Sequence, residues 1–132
     1  MTVSPNVPPT VERWHGIVSA RDVGGLTDIL ADDAVFHSPA LHAPQEGKAL
    51  TFAYLSAAFD VLGPTLSYQR EWYADSSAVL EFTADLDGLV VQGVDIFEWN
   101  ASGLITDFTV IVRPGRGLMK VIELMGARLG AR

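Results

Sequence analysis

Cysteine is absent from the 132-residue sequence. The protein therefore has no disulfide framework, no thiol nucleophile and no thiolate ligand for a metal. Long apolar runs are missing as well, since none approaches the roughly 18 residues that a membrane-spanning helix needs. The first ten residues, MTVSPNVPPT, lack the basic and apolar regions of a signal peptide. These absences predict a soluble protein of the cytoplasm.

Positive charge is also scarce. Nine Lys and Arg residues stand against 16 Asp and Glu residues, which gives a net charge of −7, and no basic run occurs. Nucleic acids and membranes are therefore not expected as partners. The three histidines, His15, His37 and His42, show no metal-like spacing with acidic residues, so we expect no metal site. No cofactor is predicted either.

The apolar content, by contrast, is high. Hydrophobic residues make up 48% of the chain and charged residues 19%. In so short a chain this composition indicates an internal cavity or a face that a partner covers. The length predicts a single domain over residues 1–132, in which residues 1–9, with three prolines, form a loose lead-in.

The first half of the chain carries mostly helical signals. Thr10 is a candidate N-cap followed by apolar residues at helical spacing, and a second short helix begins at about Asp22. The segment AVFHSP predicts a short strand that Pro39 ends, and ALHAPQEG predicts a loop. A longer helix is predicted from Lys48 to Leu62, and Gly63-Pro64 stops it.

The second half alternates with the period of a strand. Asp87-Gly88 predicts a hairpin turn, and Leu118 to Leu129 a terminal helix. Strands are predicted in TLSYQREWYA, AVLEFTADL, the segment around GVDIFEWN, and LITDFTVIVRP. This order of elements indicates an α+β domain, in which helices lie on one face of a curved, mostly antiparallel sheet.

The segment GVDIFEWN places one acid in an apolar strand. Alternation puts Asp95 on the same face as Val91, Phe97 and Trp99. Burial of a carboxyl group in such surroundings raises its pKa and keeps it protonated. The simpler alternative is that Asp95 is ion-paired, with Arg70 as the candidate partner.

The segment LADDAVFHSPALHAPQEGKALTFAYL, together with VDIFEWNASGLI, resembles the SnoaL-like branch of the nuclear transport factor 2-like superfamily. ADDA before the short strand, Pro39 at its end and Gly47 before the long helix carry the resemblance. Within the superfamily the chain is most similar to the ketosteroid-isomerase-like branch. The resemblance implies a cone-shaped fold, with helices on the concave face of a strongly bent sheet. It also implies an apolar cavity and a homodimer through the outer sheet face, near Thr109 and Ile111.

The resemblance implies site residues position by position. Asp95 stands where the isomerases have an acid that donates a hydrogen bond to the oxyanion. Trp14 stands where they have a tyrosine with the same role, and Ser38 where they have the proton-shuttling aspartate. Serine has no useful basicity alone, so His37 is the candidate base near neutral pH, although strand alternation points it away from the Ser38 side unless a bulge intervenes. The predicted catalytic residues are thus Asp95, His37 and Ser38, and authentic ketosteroid isomerase activity is not expected, because a serine hydroxyl does not hold the shuttled proton.

The predicted ligand is a hydrophobic small molecule in an aromatic-lined cavity. Acid–base activity of an isomerase, cyclase or hydrolase type, centred on Asp95, is one hypothesis, and binding without catalysis is a second. A dimerising accessory domain with a vestigial site is a third. The side chains predicted to line the cavity are Trp14, Tyr54, Phe59, Tyr68, Trp72, Phe82, Phe97, Phe108 and Val110.

Overall fold

A computed structural model describes residues 6–130, and within them four helices and six strands occur. In chain order the elements are α1 (Pro9–Ala20), α2 (Val23–Ile29), β1 (Leu30–His37), β2 (Gln45–Glu46), α3 (Lys48–Leu62), β3 (Ser67–Tyr73), β4 (Ser77–Leu86), β5 (Leu89–Trp99), β6 (Ile105–Arg113) and α4 (Gly115–Gly130). Most of the predicted lead-in, residues 1–5, lies outside the described residues. No helix in the range 6–130 is long and apolar enough to cross a membrane.

The six strands form one mixed sheet in the order β2-β1-β6-β5-β4-β3. The antiparallel meander from β3 to β6 confirms the prediction, and β1 extends it by pairing parallel to β6. The predicted hairpin turn is present, because Asp87 and Gly88 both have positive φ values, 54° and 91°. The α+β class and the bent sheet of the cone-shaped fold are thereby confirmed.

Several boundaries differ from the predicted ones. Strand β1 begins at Leu30 and includes the ADD segment, because irregular pairing with β6 accommodates the two exposed aspartates. The loop ALHAPQEG contains the two-residue strand β2, which pairs with β1. Helix α1 has Pro8 as its N-cap; Thr10 lies inside the helix and its hydroxyl donates to the Gly103 carbonyl at 3.0 Å.

The helices cover the concave face of the sheet. Along β4 the residues of this inner face are all buried: Ala78, Leu80, Phe82, Ala84 and Leu86. Trp14 of α1 and Phe59 of α3 pack against them, with ring centroids 5.7 Å apart. The apolar core therefore lies between the helices and the inner face.

A β-bulge in β3 reverses the direction of its side chains. Tyr68 pairs with Phe82 but Glu71 with Leu80, so β3 contains one extra residue between these pairs. Tyr68 and Glu71 consequently both point inward, whereas Arg70 and Trp72 point outward. The expectation that Trp72 lines the cavity is therefore wrong: its side chain is exposed, and the Arg70 guanidinium lies 5.4 Å from the centre of its ring.

Candidate ligand-binding site

A cavity lies between α1, α3 and the inner face of the sheet. Its volume is about 410 Å³ counted out to its open mouth. This figure includes open space at the mouth, so the enclosed part is smaller. The lining is mainly apolar: Trp14, Val18, Arg21, Leu55, Ala58, Phe59, Leu62, Gly63, Leu66, Tyr68, Asp95, Phe108 and Val110.

Three side chains of the cavity wall form a hydrogen-bond chain. The Trp14 Nε1–H group donates to Tyr68 Oη at 2.9 Å, and the Tyr68 hydroxyl donates to Asp95 Oδ2 at 2.6 Å. The chain joins α1, β3 and β5, and each side chain is placed by its element: Trp14 by the buried face of α1, and Asp95 by alternation along β5. Because Oδ2 accepts from Tyr68, Oδ1 is the oxygen that Asp95 can offer to a ligand.

Burial shifts the pKa values of Asp95 and Tyr68 in this hydrogen-bond chain. The Asp95 side chain is almost completely buried, and burial raises its pKa to about 7, although the hydrogen bond from Tyr68 opposes the shift. Burial, followed by the negative charge of Asp95, raises the pKa of Tyr68 well above its usual value. Tyr68 therefore stays a hydrogen-bond donor, whereas Asp95 changes charge near neutral pH.

Arg70 does not pair with Asp95, so the simpler interpretation of Asp95 is wrong. The Arg70 guanidinium binds Glu81 on the opposite face of the sheet through two hydrogen bonds, of 2.7 and 2.9 Å. Gln92 adds a third hydrogen bond to Glu81 at 2.6 Å. The bonds from Arg70, together with that from Gln92, lower the pKa of Glu81 to about 2. The bulge explains the error, since it turns Arg70 away from the face that holds Tyr68.

A second polar cluster lies beside the cavity. His15 Nε2 of α1 lies 2.7 Å from Glu71 Oε2, and the Tyr73 hydroxyl donates to the other Glu71 oxygen. Burial and this hydrogen bond raise the pKa of Tyr73 to about 12. The His15 ring also meets Tyr68 edge-on, with centroids 5.1 Å apart. Sequence reasoning missed the cluster, because strict alternation along β3 points Glu71 outward.

The structure brings five of the predicted lining residues to the cavity, together with Asp95; the five are Trp14, Phe59, Tyr68, Phe108 and Val110. Phe82 and Phe97 are fully buried in the core and are not part of the lining. Tyr54 is half-buried and packs on Phe36, with ring centroids 5.4 Å apart. These three belong to the packing around the cavity.

His37 and Ser38 are not among the lining residues. His37 Nε2 lies 3.0 Å from Asp107 Oδ2 of the neighbouring strand β6. The Ser38 hydroxyl accepts a hydrogen bond from the Ala40 N–H at 3.0 Å, in the turn after β1. The predicted role of His37 as a base, and that of Ser38 as a catalytic residue, stay predictions. Among residues 6–130, no three His, Asp or Glu side chains come together as a candidate metal site.

A family model described as the SnoaL-like domain matches residues 11–108. The chain belongs to this family. Its fold is similar to that of a steroid delta-isomerase from Pseudomonas aeruginosa, with 34% identity, a TM-score of 0.89, and 99% of this chain and 96% of the other covered. A Silicibacter pomeroyi protein with a cystatin-like fold gives 28% identity, a TM-score of 0.86, and coverage of 94% and 87%.

A Mycobacterium tuberculosis protein, crystallised in complex with estradiol-17β-hemisuccinate, is a more distant structural neighbour. It is 19% identical, has a TM-score of 0.61, and the match covers 76% of this chain and 88% of that one. Comparison with curated proteins gives no match. The predicted membership of the SnoaL-like branch is thus confirmed, with similarity to an isomerase over nearly the whole chain.

In this SnoaL-like domain, ionisation of Asp95 costs folding free energy. The pKa of Asp95 rises from 3.8 to about 7 on folding, so the native state binds more protons in that window. Stability therefore falls as the pH rises through the window, and the loss is complete above about pH 7. Each pKa unit corresponds to about 1.4 kcal/mol, so the loss is of the order of a few kcal/mol.

We expect Asp95→Asn to remove this pH dependence, because the amide keeps an acceptor for Tyr68 and does not ionise. Urea unfolding should show the variant to be more stable than the wild type at pH 8, with the advantage gone at pH 4. Glu98→Gln, which changes an exposed carboxylate of the same strand, should leave the wild-type pH dependence intact. An Asp95→Asn effect of equal size at both pH values would contradict the prediction.

Proposed function

We propose that this SnoaL-like domain binds an apolar small molecule in the cavity and that Asp95 donates a hydrogen bond to a carbonyl or hydroxyl oxygen of the ligand. The observation that carries the proposal is the Trp14–Tyr68–Asp95 chain in the wall of an otherwise apolar cavity. Apolar surroundings with a few convergent polar groups are typical of small-molecule sites.

The chemistry of the chain supports this role for Asp95. Below about pH 7 the carboxyl group is protonated, and Oδ2 is occupied by the Tyr68 hydroxyl. We propose that the proton then lies on Oδ1 and is donated to the ligand. Trp14 holds the Tyr68 hydroxyl through its own N–H group, so the donor arrangement exists before a ligand binds. A donor fixed in this way stabilises negative charge that develops on a carbonyl oxygen.

The predicted residues do not supply the complementary base that proton removal needs. Removing a proton next to a carbonyl requires a base beside that carbon. His37 is occupied by Asp107, and neither His37 nor Ser38 lines the cavity. We therefore propose polarisation of the ligand oxygen as the core activity, with isomerase-, cyclase- or hydrolase-like turnover depending on a base from solvent or from the ligand itself.

Similar proteins support the choice of a ring compound as ligand. The P. aeruginosa relative is named a steroid delta-isomerase, and the M. tuberculosis neighbour was crystallised with a steroid ester. The volume of the present cavity favours a small ring system over a full steroid unless the mouth widens. A two-ring phenol such as 2-naphthol is therefore a suitable probe.

We also propose a homodimer through the outer face of the sheet. Large apolar side chains are exposed there, with exposed fractions of 51% for Trp72, 64% for Val90 and 53% for Ile111. Val94 and Ile96 lie between them and are half-buried. An apolar face of this kind favours burial against a second copy. A dimerising accessory domain with an unused cavity is the alternative function, and this face is the observation that favours it.

Binding is tested first with two fluorescent probes. 2-Naphthol should bind to the wild type more tightly than naphthalene does, because only the naphthol has an oxygen for Asp95. Asp95→Ala should weaken 2-naphthol binding about tenfold, the effect of one hydrogen bond, and leave naphthalene binding unchanged. Glu98→Ala is the matched control. An equal loss for both probes would show a collapsed cavity, and no binding of either probe to the wild type would refute the proposed function.

Steroid isomerisation provides a second test. The wild type should not convert a β,γ-unsaturated ketosteroid to the conjugated enone, because a positioned base contributes about a hundred- to ten-thousandfold. The ultraviolet absorbance of the enone measures turnover, and brisk turnover would contradict the prediction. Turnover by Ser38→Asp that Asp95→Ala abolishes would show that only the base is missing from an isomerase geometry.

Sedimentation tests the homodimer. At high micromolar concentration the wild type should sediment as a dimer, and Ile111→Lys should shift it to the monomer, because a charge in a buried apolar contact is unfavourable. Met119→Lys changes an apolar residue of α4 that is also more than half exposed and should leave the dimer intact. A monomeric wild type would remove the dimer from the proposal.

A further inference from the structure

We infer that the ligand carries an anionic group, a carboxylate or a similar oxyanion, and that Arg21 binds this group at the mouth of the cavity. The apolar body of the ligand then extends inward, and its neutral oxygen reaches Asp95. The inference rests on the proposed function and adds to it the charge and polarity of the ligand.

Arg21 lies where two helices end at the mouth. Helix α1 ends at Ala20, and Arg21 is its C-cap. Helix α3 ends at Leu62, and Gly63 is its C-cap. The aliphatic part of Arg21 lies against Gly63, and both residues line the cavity. An arginine with its stem on an apolar rim keeps its guanidinium at the water interface, which is where the charged end of an amphipathic ligand emerges.

The backbone of Arg21 is the second observation. Its φ and ψ are both 49°, the left-handed conformation that glycine or asparagine usually adopts after a helix. The cap itself uses only backbone groups: the N–H of Arg21 donates to the Val18 carbonyl, and the N–H of Asp22 to the Ile17 carbonyl. Glycine would make the same bonds without strain. A larger residue held in such a conformation points to a use of its side chain.

The charge of Arg21 is available to a ligand. Its side chain makes no ion pair or hydrogen bond within residues 6–130. The adjacent carboxylate, Asp22, accepts a hydrogen bond from the Gly25 N–H at 3.0 Å and caps α2. Among the described side chains that line the cavity, Arg21 is the only cation and Asp95 the only acid. Donor and cation therefore belong to the same cavity, with apolar surface between them.

A structural role for Arg21 gives a different expectation. The carbonyl ends of α1 and α3 both lie at the mouth, and a cation there interacts favourably with their dipoles. That effect contributes to stability and is indifferent to the charge of the ligand. Ligand selectivity separates the two roles. The net charge of −7 increases the difference in selectivity that is expected between the two roles, because without a local cation the protein repels an anionic ligand.

The experiment compares 6-hydroxy-2-naphthoic acid with its methyl ester. The two probes share their rings and the hydroxyl group for Asp95, and differ in the charge at the opposite end. At low ionic strength and pH 6, the wild type should bind the acid at least about tenfold more tightly than the ester, the effect of a charge-assisted hydrogen bond. The preference should shrink as salt is added.

Arg21→Gly should abolish the preference by lowering the affinity for the acid to that for the ester, and stability should be unchanged or improved, since glycine suits the backbone. Arg21→Gln tests the charge without adding a glycine and should also abolish it, whereas Arg21→Lys should retain part of it. Arg116→Gln, which removes an exposed arginine outside the cavity lining, should have no effect.

Equal binding of acid and ester by the wild type would overturn the inference while leaving the proposed function intact. So would an acid preference that persists in Arg21→Gly and Arg21→Gln. If neither probe binds to the wild type, the proposed function fails, and the inference fails with it.

Discussion

The burial of one carboxyl group is the constraint on which the rest of the site depends. Asp95 lies on the inner face of the sheet, where Tyr68 is its one side-chain hydrogen-bond donor among residues 6–130, and Tyr68 in turn accepts from Trp14. A buried carboxyl group without such a partner is costly, so α1 must hold Trp14 over β3 at hydrogen-bond distance. His15 and Glu71 join the same two elements beside it. The packing of α1 on the sheet therefore helps to hold Tyr68, the hydrogen-bond partner of Asp95, in place.

Each face of the sheet has one acid with a strongly shifted pKa, and the two shifts have opposite directions. Asp95 and Glu81 lie on neighbouring strands, one residue out of register: Leu80 pairs with Asp95, and Glu81 with Val94. Burial among apolar groups raises the pKa of Asp95 to about 7, whereas Arg70 lowers that of Glu81 to about 2. Asp95 therefore changes charge near neutral pH, whereas Glu81 stays an anion whose hydrogen bonds to Arg70 and Gln92 join β3, β4 and β5.

Periodicity made much of this fold predictable. Alternation along β4 and β5 gave the face of Asp95, and Gly63-Pro64 gave the end of α3. The bulge in β3 was not predictable, because the extra residue leaves no signal in SYQREWY, and Trp72 was consequently assigned to the wrong face. The exclusion of Arg70 as a partner of Asp95 and the His15–Glu71 pair both follow from the same bulge. Arg21 was missed because an exposed arginine at a helix end has no distinctive pattern, and its place at the cavity mouth depends on how α1 meets α3.

The bulge has a consequence for how this strand tolerates change in length. Loss of one residue between Tyr68 and Glu71 would restore regular pairing and leave Glu71 opposite Leu80, so no side chain beyond the bulge would change face. Straightening the bulge without loss of a residue would instead place Arg70 opposite Leu80. Arg70 and Trp72 would then turn toward the helices, and Glu71 and Tyr73 toward the surface. A related chain that is one residue shorter here can therefore keep the inner hydrogen-bond chain on a regular strand, whereas a chain of the same length needs the bulge.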